Sequence, residues 1–358
     1  MAPSESVDDP DGASSRTTLI AHPEDNPTQS VSPPAAGGDR PTTCTCGGRF
    51  EGGWCDTCGA PQPDERDHVV VSISPTLGSV SDRGVVHYPN EDAGTVADLG
   101  GPVACIVADG VSSAEGSQAA SGAAVAATCA ALVEGRSERA GPEPPDWFAA
   151  LRRSRSAAAA AASSPEVRGE GEAPSCTWVA AVTDGAEVWT AWVGDSRTYL
   201  VDDDGHGRCL STDHSWAAEA IAAGTSRDDA MADRRAHMIT AWLGADAPEI
   251  PDATARVAVE SPGWLLVVSD GLWNYCDAAD DLAGLVARLG GPNLDAVALA
   301  EALVGYANAA GGADNITVAA ARLSGPGPSD TLPTDTPPTD TPPTDVTHVA
   351  GDPTLPGA

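Results

Sequence analysis

Two stretches constrain this chain more than any others: Ala104-Cys105-Ile106-Val107-Ala108-Asp109-Gly110-Val111 and Leu265-Leu266-Val267-Val268-Ser269-Asp270-Gly271-Leu272. Each is a short apolar run that stops at Asp-Gly. Runs of this length, rich in β-branched residues, read as buried strands. The acid then stands at the carboxyl end of a strand, where core gives way to cleft. The glycine behind it lets backbone pass close to whatever the carboxylate holds. Asp-Gly is also a common turn dipeptide, and the chain has five. Asp184-Gly185 lies between two apolar runs at 177–182 and 187–193, an ordinary hairpin signal. Asp204-Gly205 joins Tyr199-Leu200-Val201 to Cys209-Leu210, and Asp11-Gly12 is in a polar tail. Only Asp109 and Asp270 follow a strand and lead into residues that do not read as its return. Two strand-end aspartates of one form suggest one shared role, and divalent metal binding is the obvious one.

At 358 residues the chain suffices for one large domain or two small ones. Its 41% hydrophobic content supports a packed core, while 38 glycines and 30 prolines say part of it is not packed. The net charge is −33 and every basic residue is arginine, a bias of codons rather than of function. So acidic a chain is a poor ligand for nucleic acid or an anionic membrane. It shows no secretory signal and no apolar run near the length of a membrane span, so a cytoplasmic location is expected. Five of the nine cysteines are scattered among apolar neighbours, as buried thiols in a reducing compartment are.

The other four, Cys44, Cys46, Cys55 and Cys58, fall within fifteen residues as C-x-C, eight residues, then C-x-x-C-G. Thiolates at this spacing can wrap a tetrahedral Zn²⁺, and the glycines after Cys46 and Cys58 let the knuckles turn back. The first pair is one residue short of the usual C-x-x-C; a redox pair and free thiols are the competing readings. Such a ribbon, over 42–62, has no apolar core and would depend on its metal to fold. Residues 1–41 are Ser/Thr/Pro/Asp/Gly-rich and read as disordered. Residues 324–358 carry a five-residue Thr-Asp-Thr-Pro-Pro repeat that cannot bury a core and reads as a solvated tail. Its threonines, if phosphorylated, would suit an Arg-lined phosphothreonine-binding module.

Between these lies a globular region, 69–323. Strands are expected from 69 to 73, at 177–183, 187–193, 197–201, 264–269 and 315–323. Helices are expected over the Ala-rich run 115–134, from an N-cap at Asp146, in two short pieces within 215–235, and near 278–289 and 294–310. Hairpin strands and helices in separate blocks argue for an α+β fold with antiparallel sheets.

Further polar clusters join the two Asp-Gly sites: Asn90-Glu91-Asp92, Gly194-Asp195-Ser196-Arg197, Asp213-His214-Ser215 and Asp314-Asn315. Singly each is a turn, a loop or a cap. In this order and spacing, with Ser81-Asp82-Arg83-Gly84 ahead of them and Ile239-Thr240-Ala241-Trp242-Leu243-Gly244 between, they resemble the metal-dependent serine/threonine protein phosphatases of type 2C, the PPM family. The resemblance runs from about Ser72 to Leu323. It implies a four-layer αββα sandwich of two antiparallel sheets flanked by helices, with two Mn²⁺ or Mg²⁺ ions between the sheet ends. By position, Asp109 would bridge both ions, the Gly110 carbonyl would bind one, and Asp270 and Asp314 would hold the other. Glu91 and Asp92 would lie at or just behind them, and Asp195 matches a residue that in bacterial members helps hold a looser third ion.

The residue chemistry agrees on its own terms. Hard carboxylate and carbonyl oxygens suit Mg²⁺ or Mn²⁺. Two such ions roughly 3.5–4 Å apart acidify a bridging water and clamp phosphoryl oxygens for in-line attack. One position departs from the family: where an arginine usually grips the substrate phosphate stands His87, with Arg83 the nearest guanidinium in sequence. An imidazole can take over one phosphate contact, though it is charged only below about pH 6.5. His214 reads as a loop-holding residue rather than a general acid. The expected activity is hydrolysis of phosphoserine and phosphothreonine in the protein substrates of a Ser/Thr kinase, by a monomer. The alternative is a catalytically weak, phosphatase-like scaffold that recruits kinase or phosphothreonine-binding partners. A third reading is the related branch that acts on anti-anti-sigma regulators, which the GDSR and DHS blocks fit less well.

Overall fold

The strand Val103–Ala108 is buried on both faces, and that double burial organises the molecule. Its alternate side chains Cys105 and Val107 enter one core, while Ala104, Ile106 and Ala108 enter another. Gly263–Val268 repeats the device: Leu265 and Val267 share the first core, and Trp264, Leu266 and Val268 enter a third. The computed structural model describes residues 17–20, 40–111, 116–137, 145–167, 173–249 and 252–325.

A five-stranded antiparallel sheet runs in the order Ala253–Ala258, Glu187–Val193, Trp178–Thr183, Val103–Ala108, Ala93–Asp98. A seven-stranded sheet runs Thr17–Ile20, His68–Ser74, Leu77–Asp82, Ile316–Leu323, Gly263–Val268, Arg197–Asp202, Gly207–Cys209. Their apposed faces make the middle core. Helices Ser117–Ser137 and Trp147–Ala162 close the outer face of the first sheet. Helices Ala279–Arg288 and Ala296–Ala310 close that of the second. The chain therefore has the four-layer α+β sandwich that the resemblance implied. Asp146 caps the second helix through a bond from the Ala149 amide, as its position in the sequence suggested. Among the described residues no helix is long and apolar enough to cross a membrane.

Among the strands that escape the sequence reading are Leu77–Asp82, Ala93–Asp98 and Ala253–Ala258. Within the segment read as disordered, Thr17–Ile20 forms an edge strand parallel to Val69–Ser72. It is the β-branched and apolar stretch of an otherwise polar leader, which is why pairing reaches it. The rest of 1–39 and the Thr/Asp/Pro repeat lie outside the described residues. The two short helices materialise as Trp216–Ala222 and Arg227–Ala232, around a small core of Ala217, Ala230 and Ala236.

Candidate metal centre

Antiparallel sheets stacked face to face bring strand ends of different sheets to one rim. Asp109 follows Val103–Ala108 in one sheet, and Asp270 follows Gly263–Val268 in the other. Asp109 is fixed through its backbone, which donates to Thr177 Oγ1 at 3.0 Å and accepts from the Thr177 amide at 2.8 Å. Asp270 opens the one-turn helix Asp270–Trp273, and its Oδ2 accepts from Asn274 Nδ2 at 3.1 Å. The glycines behind the two acids are required by space. A Cβ on Gly110 would stand 2.6 Å from the Glu91 carbonyl oxygen, and one on Gly271 would overlap the Asn315 carbonyl.

Around these two acids the structure gathers Asp92, Asp195 and Asp314. Burial first, then the charges of Asp92, Asp270, Asp195 and Asp314, drive the Asp109 carboxyl well above the usual carboxylate range. Burial likewise pushes Asp92 up to about 7, with Asp314 and Asp270 adding to it. Asp270 rises to about 6, chiefly through burial and Asp314. Asp195, only 4% exposed in the turn after Glu187–Val193, is also driven well up, by burial and then Asp270. Both carboxylate oxygens of Asp92 and Oδ1 of Asp270 are buried without a hydrogen bond of ordinary geometry, and the nearby Ser269 and Thr317 hydroxyls offset the burial of Asp92 only in part. Acceptors so poorly met in a cluster of like charge are costly in a folded protein unless a cation answers them. The donor set is hard oxygen throughout, which fits Mn²⁺ or Mg²⁺.

The loop that carries Glu91 closes over this cluster. The Glu91 amide donates to Asn315 Oδ1 at 2.7 Å, and Asn315 Nδ2 donates to the Arg83 carbonyl at 2.8 Å. His87 Nδ1 lies 2.7 Å from Asp314 Oδ1, and its Nε2 lies 3.6 Å from Glu91 Oε2. The hydrogen bond with Asp314 raises the His87 pKa against the opposing effect of burial. The Arg83 side chain turns elsewhere, toward Asp67 at 3.8 Å and over the ring of Tyr88.

The sequence matches the protein phosphatase 2C family over residues 85–305, a stretch that includes His87, Glu91, Asp92, Asp109, Asp195 and Asp270. This chain belongs to the protein phosphatase 2C family. The serine/threonine phosphatase stp of Listeria innocua is 31% identical to it over 243 residues, covering 66% of this chain and 92% of that protein. The crystal structure of the Mycobacterium tuberculosis serine/threonine phosphatase PstP/Ppp superposes with a TM-score of 0.54 at 25% identity, over 70% of this chain and 98% of that one. The catalytic domain of a serine/threonine protein phosphatase PstP in complex with two manganese ions shares the fold, with a TM-score of 0.53 at 23% identity over 69% and 98% of the two chains.

Other residues of this phosphatase 2C chain explain themselves through support. His214 Nδ1 accepts from the Gly194 amide at 3.1 Å, and its own amide donates to the Gly194 carbonyl at 2.9 Å. It thus holds the turn that presents Asp195, the structural work its place in Asp-His-Ser suggested. Arg197 grips Asp213 with two nitrogens at 2.8 and 2.7 Å, reaches Asp277 at 2.7 Å and lies 3.7 Å over Trp273. Trp273 Nε1 donates to the Asp195 carbonyl at 2.9 Å. Sequence reasoning missed Thr177, Arg66 and the bridging role of Asn315. Arg66 sends one nitrogen to the Asp92 carbonyl at 3.2 Å and another to the Gln118 carbonyl at 3.0 Å. A lone arginine before a strand gives no hint of this.

The four cysteines also meet. Cys44, Cys46, Cys55 and Cys58 place their sulfur atoms all within 4.8 Å of one another, with Cys44 3.7 Å from Cys58 and Cys46 3.4 Å from Cys55. Phe50–Glu51 and Trp54–Cys55 pair as a minimal hairpin between the two Cys pairs. Against the Gly48 backbone bond, hydrogen bonds with the other sulfurs push the Cys46 thiol up to about 12. The Thr57 amide donates to Cys55 Sγ at 3.4 Å, and such backbone donors, Cys58 foremost, pull the Cys55 thiol down to about 6. A stabilised thiolate is the metal-binding form of cysteine.

Proposed function

We propose that this protein dephosphorylates phosphoserine and phosphothreonine in protein substrates of a Ser/Thr kinase, as a cytoplasmic Mn²⁺- or Mg²⁺-dependent hydrolase. Two ions would be held by Asp109, the Gly110 carbonyl, Asp270 and Asp314, with Glu91 and Asp92 behind them and Asp195 available to a third. Bound there, such ions supply a water of lowered pKa and positive charge for the phosphoryl oxygens. The observation that carries this reading is the set of buried oxygens on Asp92 and Asp270 that lack ordinary hydrogen bonds amid mutually repelling acids. The manganese found in a structural relative supports it.

The chain's own residues do the rest. His87 Nδ1 is engaged by Asp314 at 2.7 Å, which leaves Nε2 to donate to a phosphoryl oxygen where the family commonly uses arginine. Asn315 and Arg66 hold the Glu91–Asp92 backbone, so the acids are placed before substrate arrives. The four-cysteine module is read as a structural Zn²⁺ ribbon, and the C-terminal threonine repeat as a ligand for a phosphothreonine-binding module. The scaffold reading draws on His87, the cysteine module and the threonine-rich C-terminal repeat, and one assay decides between the two. Manganese-dependent hydrolysis of para-nitrophenyl phosphate is expected, with Asp270→Ala lowering kcat/KM by a factor of about 10³ or more. Turnover that ignores manganese, or survives Asp270→Ala, would sink the proposal.

A further inference from the structure

Among the described residues four large apolar side chains stand exposed: Trp54 at 50%, Val85 at 66%, Val86 at 71% and Met238 at 58%. Three of the four belong to the cysteine module or to the segment that leads into His87. That concentration is unlike the scattered singles an ordinary surface carries.

The valines are held out rigidly. Both backbone amides, Val85 and Val86, donate to the Gly312 carbonyl, at 2.8 and 3.0 Å. Trp54 is held as well. Its ring meets the Tyr88 ring edge-on, centroids 5.5 Å apart, and the Tyr88 hydroxyl donates to the Gln62 carbonyl at 2.9 Å. The module is thus pinned to the residue next to His87, which itself touches Asp314. Val85 lies two residues before His87, so their Cα atoms are at most about 7.6 Å apart. An extended polypeptide advances roughly 3.3–3.6 Å per residue. A phosphoresidue delivered to the acid cluster therefore brings its near neighbours in sequence within reach of these side chains.

We propose that Trp54 of the cysteine module and the Val85–Val86 pair form a ledge for the polypeptide flanking the phosphorylated residue, selecting apolar side chains there. This rests on the phosphatase reading and names the substrate class that reading leaves open. Aromatic and aliphatic anchors beside a polar centre are the usual carriers of such selectivity. The ledge also explains what the cysteine module is for, since the module positions Trp54 and its metal would hold that position.

The test uses the full chain with manganese and two phosphothreonine peptides, one flanked by leucine and valine, the other by serine. Non-hydrolysable phosphonate versions of both serve for affinity. The wild type should prefer the apolar peptide. Trp54→Ala, and separately Val85→Ser with Val86→Ser, should each raise its KM and its Kd about fivefold, and erode the preference. Turnover of para-nitrophenyl phosphate and kcat should stay within about twofold. No preference in the wild type, or a preference that both variants keep, overturns the ledge. An equal fall on para-nitrophenyl phosphate also overturns it, by making the segment a support of the acid cluster. So does a concentration-dependent dimer abolished by the valine substitutions, which would give the patch to a second copy. Failure of the phosphatase reading shows separately, as absence of turnover while phosphonate affinity is still measured.

Discussion

The acid cluster and the cysteine module gather chemically opposite donors by opposite means. Glu91, Asp92, Asp109, Asp195, Asp270 and Asp314 come from segments spread across most of the sandwich, and strands anchored in three core layers deliver them. Cys44, Cys46, Cys55 and Cys58 span fifteen residues, and only a two-residue hairpin and a few backbone bonds stand behind them. In the first case the fold is made elsewhere, so it can tolerate a site that opposes it. Buried like charges and poorly bonded oxygens cost stability that the cores supply. In the second there is no such reserve, and what holds the sulfurs is whatever they bind. One site should therefore lose chemistry when a ligand is removed and keep its fold; the other should do the reverse.

The largest effect expected breaks the pair apart directly. Asp109→Asn should lower kcat/KM for para-nitrophenyl phosphate by about 10³ or more, since metal charge stabilisation is worth several kcal/mol, and leave the far-UV spectrum unchanged. Cys55→Ser should leave that turnover within about threefold, while residues 42–62 become open to proteolysis. Equal loss of turnover in both variants would mean that the module props up the acid cluster. Resistance of the Cys55→Ser module to protease would mean that the sulfurs are not what folds it.

A smaller effect sharpens the claim that the acids work against the fold. Asp92 is 3% exposed, and neither of its oxygens makes a hydrogen bond of ordinary geometry. Asp92→Asn removes the charge at nearly constant shape. In protein stripped of metal it should raise stability by about 1–2 kcal/mol, a few degrees in Tm for a domain this size. The added stabilisation by manganese should shrink at the same time. A metal-free Tm below that of the wild type would show that Asp92 is stabilising as it stands.

How much of this was legible follows the same division. Strands buried on both faces, such as Val103–Ala108 and Gly263–Val268, announce themselves as unbroken apolar runs, and the Asp-Gly at their ends located two of the acids. Leu77–Asp82 does not, because it is half glycine and serine. Gly78 is small because Val297 packs onto it, and Ser81 is buried because Thr317 donates to its hydroxyl at 2.8 Å. Ala93–Asp98 and Ala253–Ala258 are the edges of their sheet, and edges carry the weakest pattern. His87, Asp195 and Asp314 were found through the order of the motifs, not through any local signal. Asn315 and Thr177 act by hydrogen bonds to residues 224 and 68 positions away, and no local sequence pattern encodes such a partner. The cysteine cluster, wholly local, was legible from spacing alone.

A last prediction concerns a buried charge that, unlike the acids, is answered. His68, 9% exposed, sets Nδ1 2.7 Å from Asp82 Oδ2 and Nε2 3.1 Å from Glu301 Oε1. The hydrogen bond with Asp82, then that with Glu301, outweigh burial and lift its pKa to about 9. Asp82 Oδ1 in turn accepts from the Gly84 amide at 2.9 Å and from Asn308 Nδ2 at 3.1 Å, fixing the turn that carries Arg83. A histidine whose folded pKa exceeds its unfolded value of about 6.5 stabilises fully below that value. The contribution is lost as pH rises through the folded pKa, so the window runs from about 6.5 to just above 9. About 3 kcal/mol is at stake, so Tm should fall by several degrees across that window. His68→Gln should start lower and lose that slope. If the slope survives the substitution, the pH dependence belongs to other groups, and the contrast between answered and unanswered charge no longer rests on this pair.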